Sequence, residues 1–508
     1  MLRLQQVHIA LKKDGHDLVK GFNLTIGPGD KAAVIGEEGN GKSTLLRWIA
    51  DPDSVENYAE CEGLCHCTGT IGLLSQENGV PGDRRVSDYL QGVDLYGGLP
   101  VPLWKMHGDM ELWTSARPFS VLSGGEKIKV RLVRLLAGYP DVLLLDEPTN
   151  DLDLETLRWL EEFIRAVPQP VLFVSHDETL LEKTANVIVH LEQIKKKHEC
   201  RYTVERTGYR AYVEARSARL DKQEQVASRQ RADYESQQAR WQQIYNKVEH
   251  QQATITRANP GGARLLKKKI HALKSQERRI ERQKEDFEEI PSVEEAIRLA
   301  FDGCPALPKG KRILDWELPV LKAGDRILAR HLRLHVTAGE RVAIVGENGS
   351  GKTTCLRSIW ALLASKPELH AGYMPQDYTE ILDYSRTPVD FLVPSGEKEA
   401  VTRARSCLGS LRFKPEEMEQ EIGELSGGQK AKLLLLRLML DGSQVLVLDE
   451  PTRNLSPLSN PVIRQSLAAY PGTILCVSHD RKFLNEVCTE VYQLTEDGLC
   501  PYTLPNGY

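Results

Sequence analysis

No run of 18 or more apolar residues occurs in this chain of 508 residues, which excludes a membrane-spanning helix of ordinary length. A signal peptide is missing as well. Met1-Leu2-Arg3-Leu4-Gln5-Gln6 moves straight into strand-like alternation, as expected of a protein that stays in the cytoplasm. Paired CxxC spacing is also absent. The ten cysteines are scattered, which suits a reducing compartment. Their one concentration is Cys61, Cys65 and Cys67, with His66 between the last two. That spacing is poor for a tetrahedral zinc ion, so these residues read as ordinary loop or edge-strand positions. What is present is unremarkable in bulk: 41% hydrophobic and 27% charged residues, with a net charge of −5. A soluble globular protein of two or three domains is expected.

The chain repeats itself. Gly36-Glu37-Glu38-Gly39-Asn40-Gly41-Lys42-Ser43 in the first half answers Gly346-Glu347-Asn348-Gly349-Ser350-Gly351-Lys352-Thr353 in the second. Both match the phosphate-binding pattern GxxxxGK[ST], follow a strand-like run and open a helix-like one, at Thr44 and Thr354. That context is what the motif requires. Glycines let backbone N–H groups close around phosphates at a helix N-terminus. Lys42 and Lys352 would reach the β- and γ-phosphates, and Ser43 and Thr353 would ligate Mg²⁺. Next come Leu122-Ser123-Gly124-Gly125-Glu126 and Leu425-Ser426-Gly427-Gly428-Gln429, each a second anion site at the start of a helix. Four apolar residues then end in two acids, Asp146-Glu147 and Asp449-Glu450, reading as buried strands that deliver carboxylates at their C-terminal edge. Val174-Ser175-His176-Asp177 and Val477-Ser478-His479-Asp480 close the series. The intervals agree: 23 residues from Ser123 to Asp146 and from Ser426 to Asp449, and 30 from each of those acids to its histidine. The main difference is the distance from the phosphate loop to a glutamine, 34 residues from Lys42 to Gln76 against 24 from Lys352 to Gln376. The extra ten fall in the cysteine-bearing region and are expected to form a longer surface loop.

Between the halves lies a different kind of sequence. Val213, Leu220, Ala227, Tyr234, Trp241 and Val248 recur at every seventh position, and Leu266, Leu273, Ile280 and Phe287 do so after a break at residues 256–262. Asn259-Pro260-Gly261-Gly262 cannot continue a helix. Two apolar seams at heptad spacing predict an antiparallel helical hairpin. From Lys247 to Gln283 there are ten Lys or Arg and three Glu. Arg257, Arg264, Lys267, Lys268, Lys269, Lys274, Arg278 and Arg279 carry most of that charge. A one-signed cluster suits a polyanion such as RNA, although many charge runs are only solvated surface.

These motifs resemble the ATP-binding cassette ATPases, with phosphate loop, glutamine, LSGGQ-type signature, Asp-Glu strand end and switch histidine all in order. The resemblance implies an α/β fold of two tandem nucleotide-binding domains, 1–200 and 301–508, joined by a basic helical hairpin, 201–300. It further implies head-to-tail pairing within a monomer and ATP and Mg²⁺ as cofactors. One site would combine Gly36, Gly39, Gly41, Lys42, Ser43, Gln76, Asp146, Glu147 and His176 with Ser426, Gly427 and Gly428. The other would combine Gly346, Gly349, Gly351, Lys352, Thr353, Thr354, Gln376, Asp449, Glu450 and His479 with Ser123, Gly124 and Gly125. Metal ligands would be Ser43, Gln76 and Asp146 in one site and Thr353, Gln376 and Asp449 in the other. Glu147, Glu450, His176 and His479 would be the catalytic groups.

Asp146-Glu147-Pro148-Thr149-Asn150-Asp151-Leu152-Asp153 and the basic linker look most like the ABC-F subfamily. Those proteins bind the ribosomal exit site and direct the hairpin toward P-site tRNA and the peptidyl-transferase centre. Ribosomal and transfer RNA would then be the polyanion, with antibiotic protection as the role and a housekeeping translation factor as the alternative. A fused importer ATPase is the alternative of another class. Two departures stand out. No aromatic for adenine stacking lies near Lys13 or Ala323, and Ser456 stands where an Asp is expected, so the two sites are expected to be unequal.

Overall fold

The computed structural model describes residues 1–13, 15–75, 80–93, 110–150, 152–194, 199–254, 307–308, 310–366 and 368–504. Of the stretch between 254 and 307 it describes residues 265, 268, 269, 271–275, 278, 279 and 281. Contacts divide the chain into two units, Met1–Tyr212 with Glu294–Tyr508, and Val213–Val293.

The first unit holds two copies of one architecture. The strands of the first half are β1 (Leu2–Leu11), β2 (Asp17–Ile26), β3 (Lys31–Ile35), β4 (Ala59–Cys67), β5 (Ile71–Leu74), β6 (Val142–Asp146), β7 (Val171–Val174), β8 (Val187–Ile194) and β9 (Glu199–Glu205). Those of the second half are β10 (Arg312–Ala323), β11 (Arg326–Thr337), β12 (Arg341–Val345), β13 (Ala371–Met374), β14 (Val445–Asp449), β15 (Thr473–Val477), β16 (Glu490–Thr495) and β17 (Gly498–Pro501). The main sheets run β5-β6-β7-β3-β8-β9 and β13-β14-β15-β12-β16-β17. These are the same topology, parallel except for the last strand of each. Every residue of β3, β6, β7, β14 and β15 is buried. Parallel strands covered on both faces need such continuous apolar sequence, which is why Val-Leu-Leu-Leu and Val-Leu-Val-Leu precede the acid pairs.

The halves differ beside their main sheets. β10 and β11 form a two-stranded hairpin, whereas β1 and β2 acquire a third strand in the order β2-β1-β4. The ten extra residues expected as a surface loop therefore supply an edge strand. Cys61, Cys65 and Cys67 are all half-buried on β4 and pack against the core, while His66 between them is exposed. Strand alternation, with its period of two, sends these three thiols inward.

The two halves meet through crossed ion pairs. From the signature onward the repeat is offset by 303 residues, as between Ser123 and Ser426. That offset carries Glu161 onto Arg464 and Glu178 onto Arg481. Across the interface Arg464 Nη1 lies 2.5 Å from Glu178 Oε1, and Arg481 pairs with Glu161 and, at 3.4 Å, with Asp177. The side chains of Arg464, Glu178 and Arg481 are only 3%, 4% and 0% exposed. Lys482 adds bonds to Glu178 and Glu182. The first half thus presents acids where the second presents arginines. Joining the halves of one chain pairs opposite charges, whereas joining two first halves would set Glu178 against Glu161.

The second unit contains most of the helix Tyr209–Thr254. Of the heptad positions, Ala227, Val248 and Leu273 are buried, and Trp241 Nε1 donates to the Leu273 carbonyl at 2.9 Å. Lys268, Lys269, Lys274, Arg278 and Arg279 are helical and exposed. Arg257, Arg264, Lys267, Leu266, Ile280, Phe287 and the break at 256–262 lie outside the described residues.

Removing one partner of a buried ion pair strands the other, at a cost of about 3–5 kcal/mol. Arg464→Met alone should lower the unfolding free energy by that order, and adding Glu178→Leu should restore most of the loss. Chemical denaturation of the two variants checks this; losses that simply add would show that the pair is not coupled.

Candidate nucleotide sites

Each phosphate loop turns into its helix through a glycine in the left-handed region, Gly41 (φ 80°) before Lys42–Ala50 and Gly351 (φ 97°) before Lys352–Ala364. A Cβ on Gly41 would lie 2.8 Å from Leu18, and one on Gly351 2.7 Å from Leu328. Backbone freedom and close approach both require glycine there. Lys42 Nζ donates to the Gly36 and Glu37 carbonyls, both at 2.9 Å. Lys352 Nζ makes the matching bonds to Gly346 and Glu347 at 2.9 and 2.7 Å. In both loops the ammonium is thus held over a cradle of backbone.

The acids arrive from the ends of β6 and β14. Ser43 Oγ donates to Asp146 Oδ1 at 2.8 Å, while Asp146 Oδ2 and both oxygens of Asp449 are buried without a hydrogen-bond partner. Burial raises the affinity of both carboxyls for protons. Hard, unpartnered carboxylate oxygens next to a hydroxyl fit a magnesium ion, which Asp146 with Ser43, and Asp449 with Thr353, would hold.

Glu147 and Glu450 both adopt left-handed backbone, at φ 48° and 51°. Such a conformation is uncommon for a non-glycine residue and clusters at functional sites. It is held in place from the neighbouring strand, since Glu147 N–H donates to the Val174 carbonyl and Glu450 N–H to that of Val477. The turn aims each carboxylate at the histidine two residues beyond the accepting carbonyl, His176 after Val174 and His479 after Val477.

There the sites part company. His176 Nε2 sits 2.9 Å from Glu147 Oε1, and its Nδ1 2.9 Å from the Leu455 carbonyl of the other half. Burial works against the Glu147 charge, yet His176 and Lys42 beside it hold its carboxyl below the usual range. His479 Nε2 is 3.7 Å from Glu450 Oε1, and its Nδ1 is buried without a partner. Burial, reinforced by Asp449, pushes Glu450 up to about 8. Burial and Lys352 push His479 down to about 3. One site holds a tight Glu–His pair, the other two nearly neutral groups. Asp153 caps the helix Leu154–Ala166 and adds negative charge toward Lys352 and His479. The hydroxyl of Ser456, at the matching position, bonds to Ser459 within its own turn.

The clefts draw on both halves. One of about 530 Å³ joins Lys352, Thr353, Thr354, Gln376, Asp449, Glu450 and His479 to Gly124. Another, of about 270 Å³, joins Lys42, Ser43, Glu147 and His176 to Arg453 and Asn454. Ser123 and Ser426 cap their helices reciprocally with Glu126 and Gln429, which turns the glycine amides behind them toward an anion; at Gly428 that anion is the Glu38 carboxylate. Gln76 lies outside the described residues.

Residues 19–150 and 329–453 match the family described as ABC transporter, just over half of the chain. A probable ATP-binding cassette sub-family F member 3 homolog of Encephalitozoon cuniculi is 30% identical, over 95% of this chain and 79% of its own length. The chain belongs to the ABC-F ATPases. The ribosome protection protein VmlR of Bacillus subtilis is 28% identical to this ABC-F protein, covering 94% of this chain and 84% of its own. Among solved structures, the archaeal ribosome recycling factor aABCE1, in complex with the ribosomal stalk protein aP1, shares the fold. Its TM-score is 0.58 at 16% identity, over 97% of this chain and 89% of that one.

The ABC-F ATPase also has site residues that its motifs do not announce. Leu11 and Leu18 line the smaller cleft, and Ala323, Arg326 and Leu328 the larger. They come from the β1–β2 and β10–β11 hairpins and offer aliphatic surface, with one guanidinium, where no aromatic is present. Their signal in the sequence is only strand alternation upstream of each loop.

A Cβ at Gly428 would lie 2.7 Å from the Asn454 backbone carbonyl, so the second signature must shift to accept alanine. Displacements of this size cost about a hundredfold in rate. Gly428→Ala should therefore reduce ATP turnover by about that factor, while Gly27→Ala, with nothing within 4 Å, leaves it unchanged. A steady-state phosphate-release assay on both variants checks the difference.

Proposed function

We propose that this ABC-F ATPase acts on the ribosome. It would bind in the exit-site region and direct the interdomain hairpin, residues 201–300, toward P-site tRNA and the peptidyl-transferase centre, so as to displace antibiotics bound there. The observation that carries the reading is the exposed basic helix surface, Lys268, Lys269, Lys274 and Arg278, in a chain whose relative VmlR is named a ribosome protection protein. Exposed cations of one sign suit ribosomal and transfer RNA, because each neutralised phosphate releases counterions. Membership of the F subfamily speaks against the importer alternative. Among the described residues no helix is long and apolar enough to cross a membrane, in keeping with a cytoplasmic, ribosome-bound role. A housekeeping translation role is the second reading, favoured by residues 257–262, which contain no aromatic side chain.

The proposed chemistry is hydrolysis of Mg²⁺-bound ATP at sites shared between the halves. Lys42 and Lys352 balance phosphate charge, and Ser43, Asp146, Thr353 and Asp449, with Gln76 and Gln376, hold the metal. Glu147 and Glu450 orient and polarise the attacking water. His176 and His479 report the state of the terminal phosphate to the opposite half. Bound nucleotide draws the halves together and its hydrolysis releases them.

Glu147→Gln with Glu450→Gln should retain ATP binding and stall hydrolysis, so that the doubly substituted protein sediments with 70S ribosomes only when ATP is present. Absence of such pelleting, with ATP binding intact, would sink the ribosome reading. Lys268→Glu, Lys269→Glu and Lys274→Glu together should weaken the association and flatten its salt dependence by about one unit of slope for each lysine that meets a phosphate. Unchanged sedimentation across a salt series would remove RNA binding from this segment.

A further inference from the structure

The two phosphate loops differ at one position that faces the opposite half. The second loop reads Glu347-Asn348-Gly349; the first reads Glu37-Glu38-Gly39. The Glu38 carboxylate accepts a hydrogen bond from the backbone N–H of Gly428, in the second signature. A Cβ on Gly427 would lie 3.1 Å from Glu38 Oε1, so the carboxylate spans both signature glycines. Beside it, Glu37 lies 3.5 Å from Arg412 and 3.9 Å from Lys432. The N-terminus of the helix Gly427–Leu440 thus faces a carboxylate delivered by the partner phosphate loop.

A helix N-terminus of this kind carries unpaired amides and about half a positive charge, and it selects an anion. In a nucleotide site shared between loop and signature, the anion due at that amide is the terminal phosphate. A carboxylate and a phosphate group cannot both take one N–H, and their like charges repel at contact distance. We propose that Glu38 competes with the terminal phosphate for the second signature, so that, with both loops read as ATP sites, the first-loop site favours a nucleoside diphosphate over the triphosphate more than the second-loop site does. Glu38 is then the specificity residue that sets phosphate number at the first site. The tighter contacts already seen there, from His176 to Glu147 and to the Leu455 carbonyl, belong to a site closed by its own anion. Asn348, at the matching position of the second loop, carries no charge.

The proposal rests on the assignment of the two loops as phosphate sites, and the experiment separates the two. In the full chain carrying Lys352→Ala only the first loop reports, and fluorescent ADP and ATP analogues are titrated with saturating Mg²⁺. The parent should bind the diphosphate at least as tightly as the triphosphate. Glu38→Asn should move the preference toward the triphosphate by about tenfold, the worth of one hydrogen bond to a charged group. Asn348→Glu, in a chain carrying Lys42→Ala, should move the second site the opposite way by a similar factor and keeps the test available if Glu38→Asn fails to fold. Diphosphate binding with a preference that neither substitution moves overturns the role of Glu38 alone. No binding of either nucleotide by parent and variant overturns the phosphate-site assignment and the proposal with it.

Discussion

The arrangement of both nucleotide sites depends on two buried ion pairs, Glu178 with Arg464 and Glu161 with Arg481. Charges this far from water need partners, because stranding one costs several kcal/mol, and Lys482 and Asp177 extend the same network. Their worth is therefore less in net stability than in register. In this docking each of the two arginines meets an acid of the other half. That docking carries the Leu455 carbonyl to His176, Gly124 to the cleft of Lys352, and Gly428 to Glu38. An internal duplication would by default yield two halves able to pair with copies of themselves. Acid on one half and arginine on the other at matching positions turns a symmetric interface into one that favours pairing of unlike halves.

Within that frame, near-identical motifs produce unlike chemistry. Glu147 and Glu450 share residue type, strand, backbone twist and a following histidine, yet one is held ionised by a close imidazole and the other is pushed toward its neutral form by burial. The difference of under an ångström in the Glu–His distances, 2.9 against 3.7 Å, sits beside larger differences in charge. Asp153 acts on the second site and Ser456, its counterpart, brings no charge to the first. Negative charge is instead supplied to the first site by Glu38. Each half has lost a carboxylate or gained one where it faces the other, and the sites diverge accordingly.

Much of this was readable from spacing. Phosphate loops, signatures and strand-end acids sit in fixed order because each belongs to a local element, and local elements write their own patterns: Gly41 for a left-handed turn, Ser123 with Glu126 for a helix cap, Val142 to Leu145 for a buried strand. The departure at Ser456 was equally plain. What escaped depended on distant partners. Glu161 and Arg464 look like ordinary surface charges on amphipathic helices, since nothing local says that each will be buried against the other half. Glu38 differs visibly from Asn348, but the amide it meets is 390 residues away. The ten extra residues of the cysteine-bearing stretch read as a longer surface loop from spacing alone, with loop and edge strand both open for the cysteines, and its pairing with β1 as strand β4 is a tertiary choice. The left-handed φ at Glu147 and Glu450 has no sequence signature at all, being imposed by bonds from β7 and β15.

The same contacts determine what nucleotide can move. The first turn of the helix Tyr209–Thr254 is attached to both halves: Tyr212 Oη bonds His190 Nδ1 on β8 at 2.7 Å, and Tyr209 Oη donates to the Pro457 carbonyl at 3.1 Å. Pro457 follows Ser456 and lies two residues from the carbonyl that His176 touches. Any change in how His176 meets Leu455 therefore reaches Tyr209 through three residues of backbone. Separation of the halves must either break the Tyr209 bond or draw the helix start away from His190. A hydroxyl bond to a carbonyl is worth only about 1 kcal/mol, far less than the buried ion pairs, so it yields first. The start of the helix is thus joined to both halves at its first turn, by bonds far weaker than the buried ion pairs.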